Sequence, residues 1–160
     1  MERKEKLLEE LKTEFAKLKK DLGFKSSYED LEKVGFIEDM ILTDGYVSPN
    51  FSRQLINRIS EKVYSWVSVL HSWIMPNPQD MIYSAEAKKL SQEEKQEIYQ
   101  LIAKIMYFVR KSKRLSFEET SEEGKFIDEL TEFDRGEFSE IMKKYHKKFE
   151  SFWEDKEEQE

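Results

Sequence analysis

One of the two histidines, His71, lies among residues whose side chains could do chemistry. At the spacing of an α-helix it shares a face with Tyr64 and Ser68, and Trp73 follows two positions later. An imidazole beside hydroxyl groups can act as a general base or can bind a metal ion. These four residues therefore predict a small-ligand or enzymatic pocket. The competing interpretation is a partly buried His71 that is hydrogen-bonded to a hydroxyl or carbonyl group, as buried polar groups usually are.

The carboxylates near the histidines do not favour a metal site. No Asp or Glu lies three or four positions from His71. Glu150 follows His146 at a suitable spacing, but four lysines beside this pair would repel a cation. Helical di-iron proteins carry Glu-x-x-His pairs, and here positions 68 and 143 are serine and lysine. The chain has no glycine-rich phosphate loop and no cysteine. The sequence therefore predicts neither a metal nor a cofactor, and catalysis has no positive support.

The second candidate site is a basic run at the end of a long predicted helix. Its cationic members are Arg110, Lys111, Lys113 and Arg114. Such side chains can contact phosphate groups, and the aromatic residues at 107 and 108 could stack on bases. Two plainer explanations compete: cations stabilise a helix C-terminus by about 0.3–1 kcal/mol each, and the acidic segment 116–124 could fold back and pair with them. The net charge of −7 also works against a general affinity for nucleic acid.

The composition indicates a helical protein. Charged residues make up 38% of the chain and aromatic residues 13%, whereas Gly 5 and Pro 3 are few. Few turn formers together with many Glu, Lys and Leu favour long helices over short strands, and the excess of Lys and Glu is typical of thermophile proteins. The chain shows no signal peptide and no apolar run long enough to cross a bilayer. We therefore expect a cytoplasmic protein without a membrane segment.

Apolar residues repeat at helical spacing along almost the whole chain. Patterns typical of helix starts precede many of these stretches, and they lie at Ser27, Ser48-Pro49, Asn77-Pro78, Ser91 and Asp134. We expect an all-α, single-domain bundle of about five to seven helices over residues 1–153, followed by a polar tail at 154–160. The predicted helices cover 2–22, 27–44, 49–75, 78–89, 92–113, 126–133 and 134–153.

The helix predicted over about 50–75 is expected to be the centre of the bundle. No charged residue occurs over the 17 positions from Val63 to Gln79. A helix that lacks a charged face is usually surrounded by other helices. We therefore expect the part from Val63 to Met75 to be buried on all sides.

The first helix, within residues 1–22, carries a narrow stripe of leucine and phenylalanine. This stripe could pack on its own domain or on a second copy of the chain, so the helix is a candidate oligomerisation arm. Amphipathic helices, many aromatic residues and missing catalytic motifs favour a non-catalytic protein-interaction module, with self-association as a homodimer as one form. A nucleic-acid-associated protein and a ligand pocket around His71 are the alternatives.

Overall fold

The computed structural model describes residues 2–118 and 122–157, which form nine α-helices and one π-helical segment without a β-strand. The predicted all-α class is confirmed. The predicted tail at 154–160 is helical as far as residue 157, and its last three residues lie outside the described part. The elements are α1 (Glu2–Leu22), α2 (Tyr28–Gly35), α3 (Ile37–Asp44), α4 (Phe51–Tyr64), α5 (Val67–Ile74), α6 (Met81–Ala87), α7 (Gln92–Leu115), α8 (Glu123–Phe133), the π-helical segment (Asp134–Phe138) and α9 (Ser139–Glu157).

Several helix ends lie where the local sequence predicts them. Gly23, directly after α1, has a φ of 71°, which a residue without a Cβ adopts at no steric cost. Ser27 begins α2, and its side chain accepts a hydrogen bond from the backbone N–H of Asp30 at 3.1 Å. Ser91 and Glu94 form the reciprocal capping box at the start of α7. These ends depend on residues within one turn, so the sequence alone is sufficient to predict them.

The helix predicted over 27–44 is divided at Phe36, which has a φ of 49°. This left-handed conformation is unfavourable for a residue with a Cβ, so surrounding contacts must hold it. The carbonyl of Gly35 accepts a hydrogen bond from the Arg58 side chain on α4. A Cβ at Gly35 would lie 3.3 Å from Leu55, so α2 and α4 approach closely at this glycine. Tertiary contacts therefore set the break.

The helix predicted over 49–75 is also divided, into α4 and α5, at Ser65 and Trp66. The backbone N–H of Trp66 bonds to the carbonyl of Val63 at 3.3 Å, so the helix tightens locally to a three-residue repeat. The Ser65 hydroxyl donates to the carbonyl of Lys62 at 2.6 Å and satisfies it at the break. The start of α4 is also later than predicted, at Phe51, because the Ser48 hydroxyl caps a turn at Asn50.

The two prolines after α5 lie in a connection, and the predicted helix start at Asn77 is wrong. The Asn77 side chain accepts from the backbone N–H of Gln79 at 3.0 Å, which closes a local turn. Asp80 is the residue that caps α6, by accepting from the backbone N–H of Tyr83 at 3.0 Å. Asn and Asp are comparable as helix caps, but here Asn77 closes the turn and Asp80 caps the helix.

The capping box predicted at Asp134 is wrong as well. Asp134 to Phe138 form a π-helical segment that joins α8 to α9 without interruption. The Asp134 side chain turns away from its own backbone, because its Oδ2 accepts a hydrogen bond from the Lys62 ammonium on α4 at 3.2 Å. A contact between distant parts of the chain has replaced the local cap.

Buried apolar side chains form two adjacent clusters, and the predicted central segment runs through both. The first cluster takes residues from each of α1, α2, α3 and α4 and from α8. Among them are Leu11, Phe15, Leu55, Ile59 and Leu130. The second joins the end of α4 to α5, α7 and α9, and it contains Val63, Leu70, Trp73, Ile105 and Tyr145. The stripe of α1 is therefore used inside its own chain.

One expectation for the central segment is wrong. Ser65, Ser68 and His71 are exposed, so α5 buries only one side. The side of α5 that lacks charged residues is therefore exposed to solvent.

Candidate functional site

Three of the four residues of the predicted pocket lie on an open surface. Tyr64, the last residue of α4, is 51% exposed. Ser68 and His71 on α5 are exposed, at spacings of four and three positions that place all three residues on one side of consecutive helices. Trp73, in contrast, is only 2% exposed and points into the core. The four residues therefore do not enclose a common pocket, and His71 is not the partly buried histidine of the competing interpretation.

The residues exposed after His71, at the end of α5 and the start of α6, are large and apolar. Met75 is 68% exposed, Met81 84% and Ile82 61%. Asp80, the first charged residue after the uncharged stretch 63–79, has its carboxylate committed to the cap of α6. At the other end, Glu61, Arg110 and Lys113 border the surface beside Tyr64. We name this surface the uncharged face, and its residues are Tyr64, Ser68, His71, Met75, Met81 and Ile82.

The structure divides the basic run at the end of α7 into two pairs. Lys111 donates to Glu129 on α8 at 3.2 Å, and Arg114 donates to Glu118 at 2.7 Å. Arg110 and Lys113 have no ion pair within residues 2–118 and 122–157. Residues 119–121 of the acidic segment lie outside the described part, but Glu118 and Glu122 on either side of them both pair with Arg114. The Glu118 carboxylate, by hydrogen bond and by charge, raises the pKa of the Arg114 guanidinium.

The two cations without ion pairs line a cleft of about 300 Å³ between α4 and α7, which we name the α4–α7 cleft. Met106 and Val109 give it an apolar wall, and Ser60 contributes a buried hydroxyl for which no hydrogen-bond partner is present. The other lining residues are Asn57, Glu61, Tyr64, Arg110, Ser112 and Lys113. Tyr64 from one predicted site and Arg110 and Lys113 from the other therefore meet in one place. Lys111 and Arg114 do not line it.

His146 is exposed, and its ring also contacts two tryptophans. Its ring packs edge-on against Trp66 and Trp73, with 5.3 Å between ring centroids in both contacts. Within the described residues, no group of three or more His, Asp or Glu side chains is placed to hold a metal ion.

Two buried carboxylates were missed by the sequence analysis, Glu86 on α6 and Asp134 in the π-helical segment. Glu86 is 8% exposed and Asp134 6%. Glu86 accepts hydrogen bonds from the indole N–H groups of Trp73 at 3.2 Å and Trp153 at 3.0 Å. No pattern near either residue signals burial, because their partners lie on other helices.

No model of a known protein family, no curated protein and no solved structure matches this chain. In the part of the chain that the structure describes, no helix combines the length and the apolar character needed to cross a bilayer.

Proposed function

We propose that the protein is a non-catalytic helical interaction module that self-associates as a homodimer through the uncharged face. The observation that carries this proposal is the exposure of Met75, Met81 and Ile82 beside a stretch without charge, in a chain that is 38% charged. Contiguous exposed apolar surface commonly marks an interaction site. The centres of protein interfaces are depleted in charged residues and enriched in methionine and aromatic residues, which is the composition of this face.

The charge of the chain restricts where a second copy could dock. With a net charge of −7, two identical molecules repel each other, most strongly where charged surfaces approach. Contact through the uncharged face adds no direct like-charge pairs to that general repulsion. In a two-fold dimer the same patch meets itself, so Met75 and Met81 of one copy can pack against the equivalent region of the other.

The first test is the oligomeric state of the variant Met75→Lys/Met81→Lys. Both side chains are largely exposed, so the lysines should not disturb the monomer, and in a dimer they would bring like charges together in the interface. We expect the wild-type chain to sediment as a dimer and the variant as a monomer, with dissociation at least about a hundredfold easier, the effect of losing ~3 kcal/mol. Sedimentation equilibrium over a range of protein concentrations measures this.

A matched control replaces two exposed aromatic residues outside the uncharged face, Tyr46→Lys/Phe117→Lys. These residues are 58% and 89% exposed, and the change in charge is the same. We expect this control to remain a dimer. A wild-type chain that stays monomeric at every concentration, or a control that dissociates as readily as the interface variant, would refute self-association through this face.

A second candidate function, binding of nucleic acid, is supported by one specific observation. Arg110 and Lys113 lack ion pairs among the described residues and lie together at the α4–α7 cleft. Cations that are not neutralised within the protein remain available for phosphate groups. Lys111 and Arg114 pair with Glu129 and Glu118, so Arg110 and Lys113 are the two of the four cations that no carboxylate neutralises within the described residues.

The test of this second function is retention of a single-stranded oligonucleotide at ~50 mM salt. If Arg110 and Lys113 contact phosphates, Arg110→Glu/Lys113→Glu should abolish retention, and affinity should fall steeply as salt is added. The control Lys17→Glu/Lys20→Glu changes two exposed lysines on α1 by the same total charge. An equal loss of retention in the control would indicate an effect of net charge alone. No retention by the wild-type chain would rule out the hypothesis.

The cytoplasmic location expected from the sequence stays a prediction.

A further inference from the structure

A second cleft, of about 280 Å³, lies where α4 and α5 meet the π-helical segment and α9. Asp134 and Phe138 come from the π-helical segment, Trp66 from the break between α4 and α5, and His146 from α9. The other lining residues are Lys62, Ser139, Met142 and Lys143. We name it the Asp134 cleft. It is separate from the α4–α7 cleft and from the uncharged face.

Two departures from regular helix geometry meet at this cleft. One is the tightened turn at Trp66, and the other is the run of π-helical hydrogen bonding that begins at Asp134. π-Helical turns are rare and occur frequently at functional sites, because they re-aim side chains at the cost of regular packing. Both irregular segments contribute side chains to the same cavity, which points to a shared role for them.

Asp134 is a buried carboxylate, and only one of its two oxygens has a hydrogen-bond partner among the described residues. Its Oδ2 accepts a hydrogen bond from Lys62 at 3.2 Å, and its Oδ1 is buried and has no hydrogen-bond partner. Burial raises the pKa of Asp134, and the charge of Lys62 and its hydrogen bond oppose that shift only in part. Buried polar atoms in native proteins are nearly always hydrogen-bonded, so the unpartnered oxygen of Asp134, a residue that lines the cleft, is the acceptor to which a ligand would have to donate.

The charges around the cleft are arranged in two layers. In the buried part Lys62 balances the charge of Asp134 through Oδ2 and leaves Oδ1 without a donor, and Lys143 and His146, both exposed, line the cleft from α9. A simple anion would be attracted to the lysines but would offer no donor to Oδ1, and a simple cation would be repelled by Lys62 and Lys143. A molecule with an N–H donor at one end and an anion at the other satisfies both layers at once.

We propose that the Asp134 cleft binds a small zwitterion of the amino-acid type. Its ammonium group donates to Oδ1 of Asp134, and its carboxylate lies against Lys143 and His146. An apolar side chain of the ligand contacts Trp66, Phe138 and Met142, which line the same cavity. The volume is just below the usual range for ligand pockets, which fits a molecule of this size.

The test uses the full chain and free leucine, methionine, phenylalanine and tryptophan as probes. Titration calorimetry measures affinity, and the rise of Tm with ligand concentration gives an independent readout of binding to the folded state. We expect binding of at least one of these amino acids. For phenylalanine, the matched analogues are 3-phenylpropionate, which lacks the ammonium group, and 2-phenylethylamine, which lacks the carboxylate. Each analogue should bind at least about tenfold more weakly than the parent amino acid, the size expected for loss of one charged hydrogen bond.

Two variants assign the ends of the ligand. Asp134→Asn keeps the volume of the side chain and removes its charge, and Lys143→Glu reverses an exposed charge that has no ion pair within the described residues. Each should weaken binding about tenfold or more. Lys147→Glu, four positions further along α9 and also exposed, is the matched control and should bind like the wild type.

Lys143→Glu keeps the test valid even if Asp134→Asn does not fold, because Lys143 is a surface residue. The proposal is wrong if none of the four amino acids binds or raises Tm. It is equally wrong if Lys143→Glu and Lys147→Glu bind alike, or if 3-phenylpropionate binds as tightly as phenylalanine.

Discussion

Replacing Trp73 by alanine is expected to lower the free energy of unfolding by about 3–5 kcal/mol. Trp73 is 2% exposed, and its ring lies 5.0 Å from that of Phe149 and 6.2 Å from that of Tyr145, measured between centroids. Truncation therefore leaves a large cavity between α5 and α9. It also removes the indole N–H that donates to the buried carboxylate of Glu86. Urea unfolding followed by far-ultraviolet circular dichroism measures the loss without relying on tryptophan fluorescence.

Trp153→Ala is the matched control for this prediction. Trp153 donates to the same carboxylate, at 3.0 Å, but it is 38% exposed and contributes less to the core. Its removal should cost about 1 kcal/mol, the net value of one hydrogen bond, plus a small packing loss. Equal losses for the two variants would contradict the assignment of Trp73 to the core. They would leave the hydrogen bond to Glu86 as the common cause.

The ends of the helices show which features of this fold can be predicted from nearby residues alone. Ser27 and Ser91 cap helices as predicted, because each needs only a backbone N–H within one turn. Asp134 has the same sequence pattern, with Glu137 three positions later, yet it caps nothing. Its carboxylate is instead held by Lys62, 72 positions away in the chain. Local pattern and distant partner compete for the same side chain, and the sequence does not show which one prevails.

The candidate sites show the same limit. Helical spacing makes Arg110 a neighbour of both Lys113 and Arg114 on α7, so the sequence alone does not divide the run into the two pairs. Which of these side chains meets a carboxylate depends on where α8 and the acidic segment lie, and no nearby residue shows this. The spacing of Tyr64, Ser68 and His71 predicts a shared side, and all three residues are exposed in the structure. The lack of charge suggested burial, but the structure leaves that side open to solvent.

Gly124→Ala is expected to lower the free energy of unfolding by about 3 kcal/mol, the upper end of the range for overpacking. A Cβ at Gly124, in the first turn of α8, would lie 2.2 Å from the carbonyl oxygen of Leu22 and 2.9 Å from its carbonyl carbon. These are backbone atoms at the end of α1, so no side-chain rotation can relieve the clash. Alanine is favoured over glycine in a helix by up to ~1 kcal/mol, which is too little to offset a displaced helix.

Alanine substitutions at two further glycines should give a graded series of changes in the free energy of unfolding. A Cβ at Gly35 would meet the flexible end of Leu55 at 3.3 Å, and a Cβ at Gly136 would meet nothing within 4 Å. Gly136→Ala should therefore be neutral or stabilising by up to ~1 kcal/mol, and Gly35→Ala should fall between the other two. Urea unfolding gives the order, and amide hydrogen exchange should show α1 losing protection in Gly124→Ala alone. If Gly124→Ala is as stable as Gly136→Ala, α1 does not pack against the start of α8 as closely as the structure requires. The core would then have to form without the contact that fixes the first helix in place.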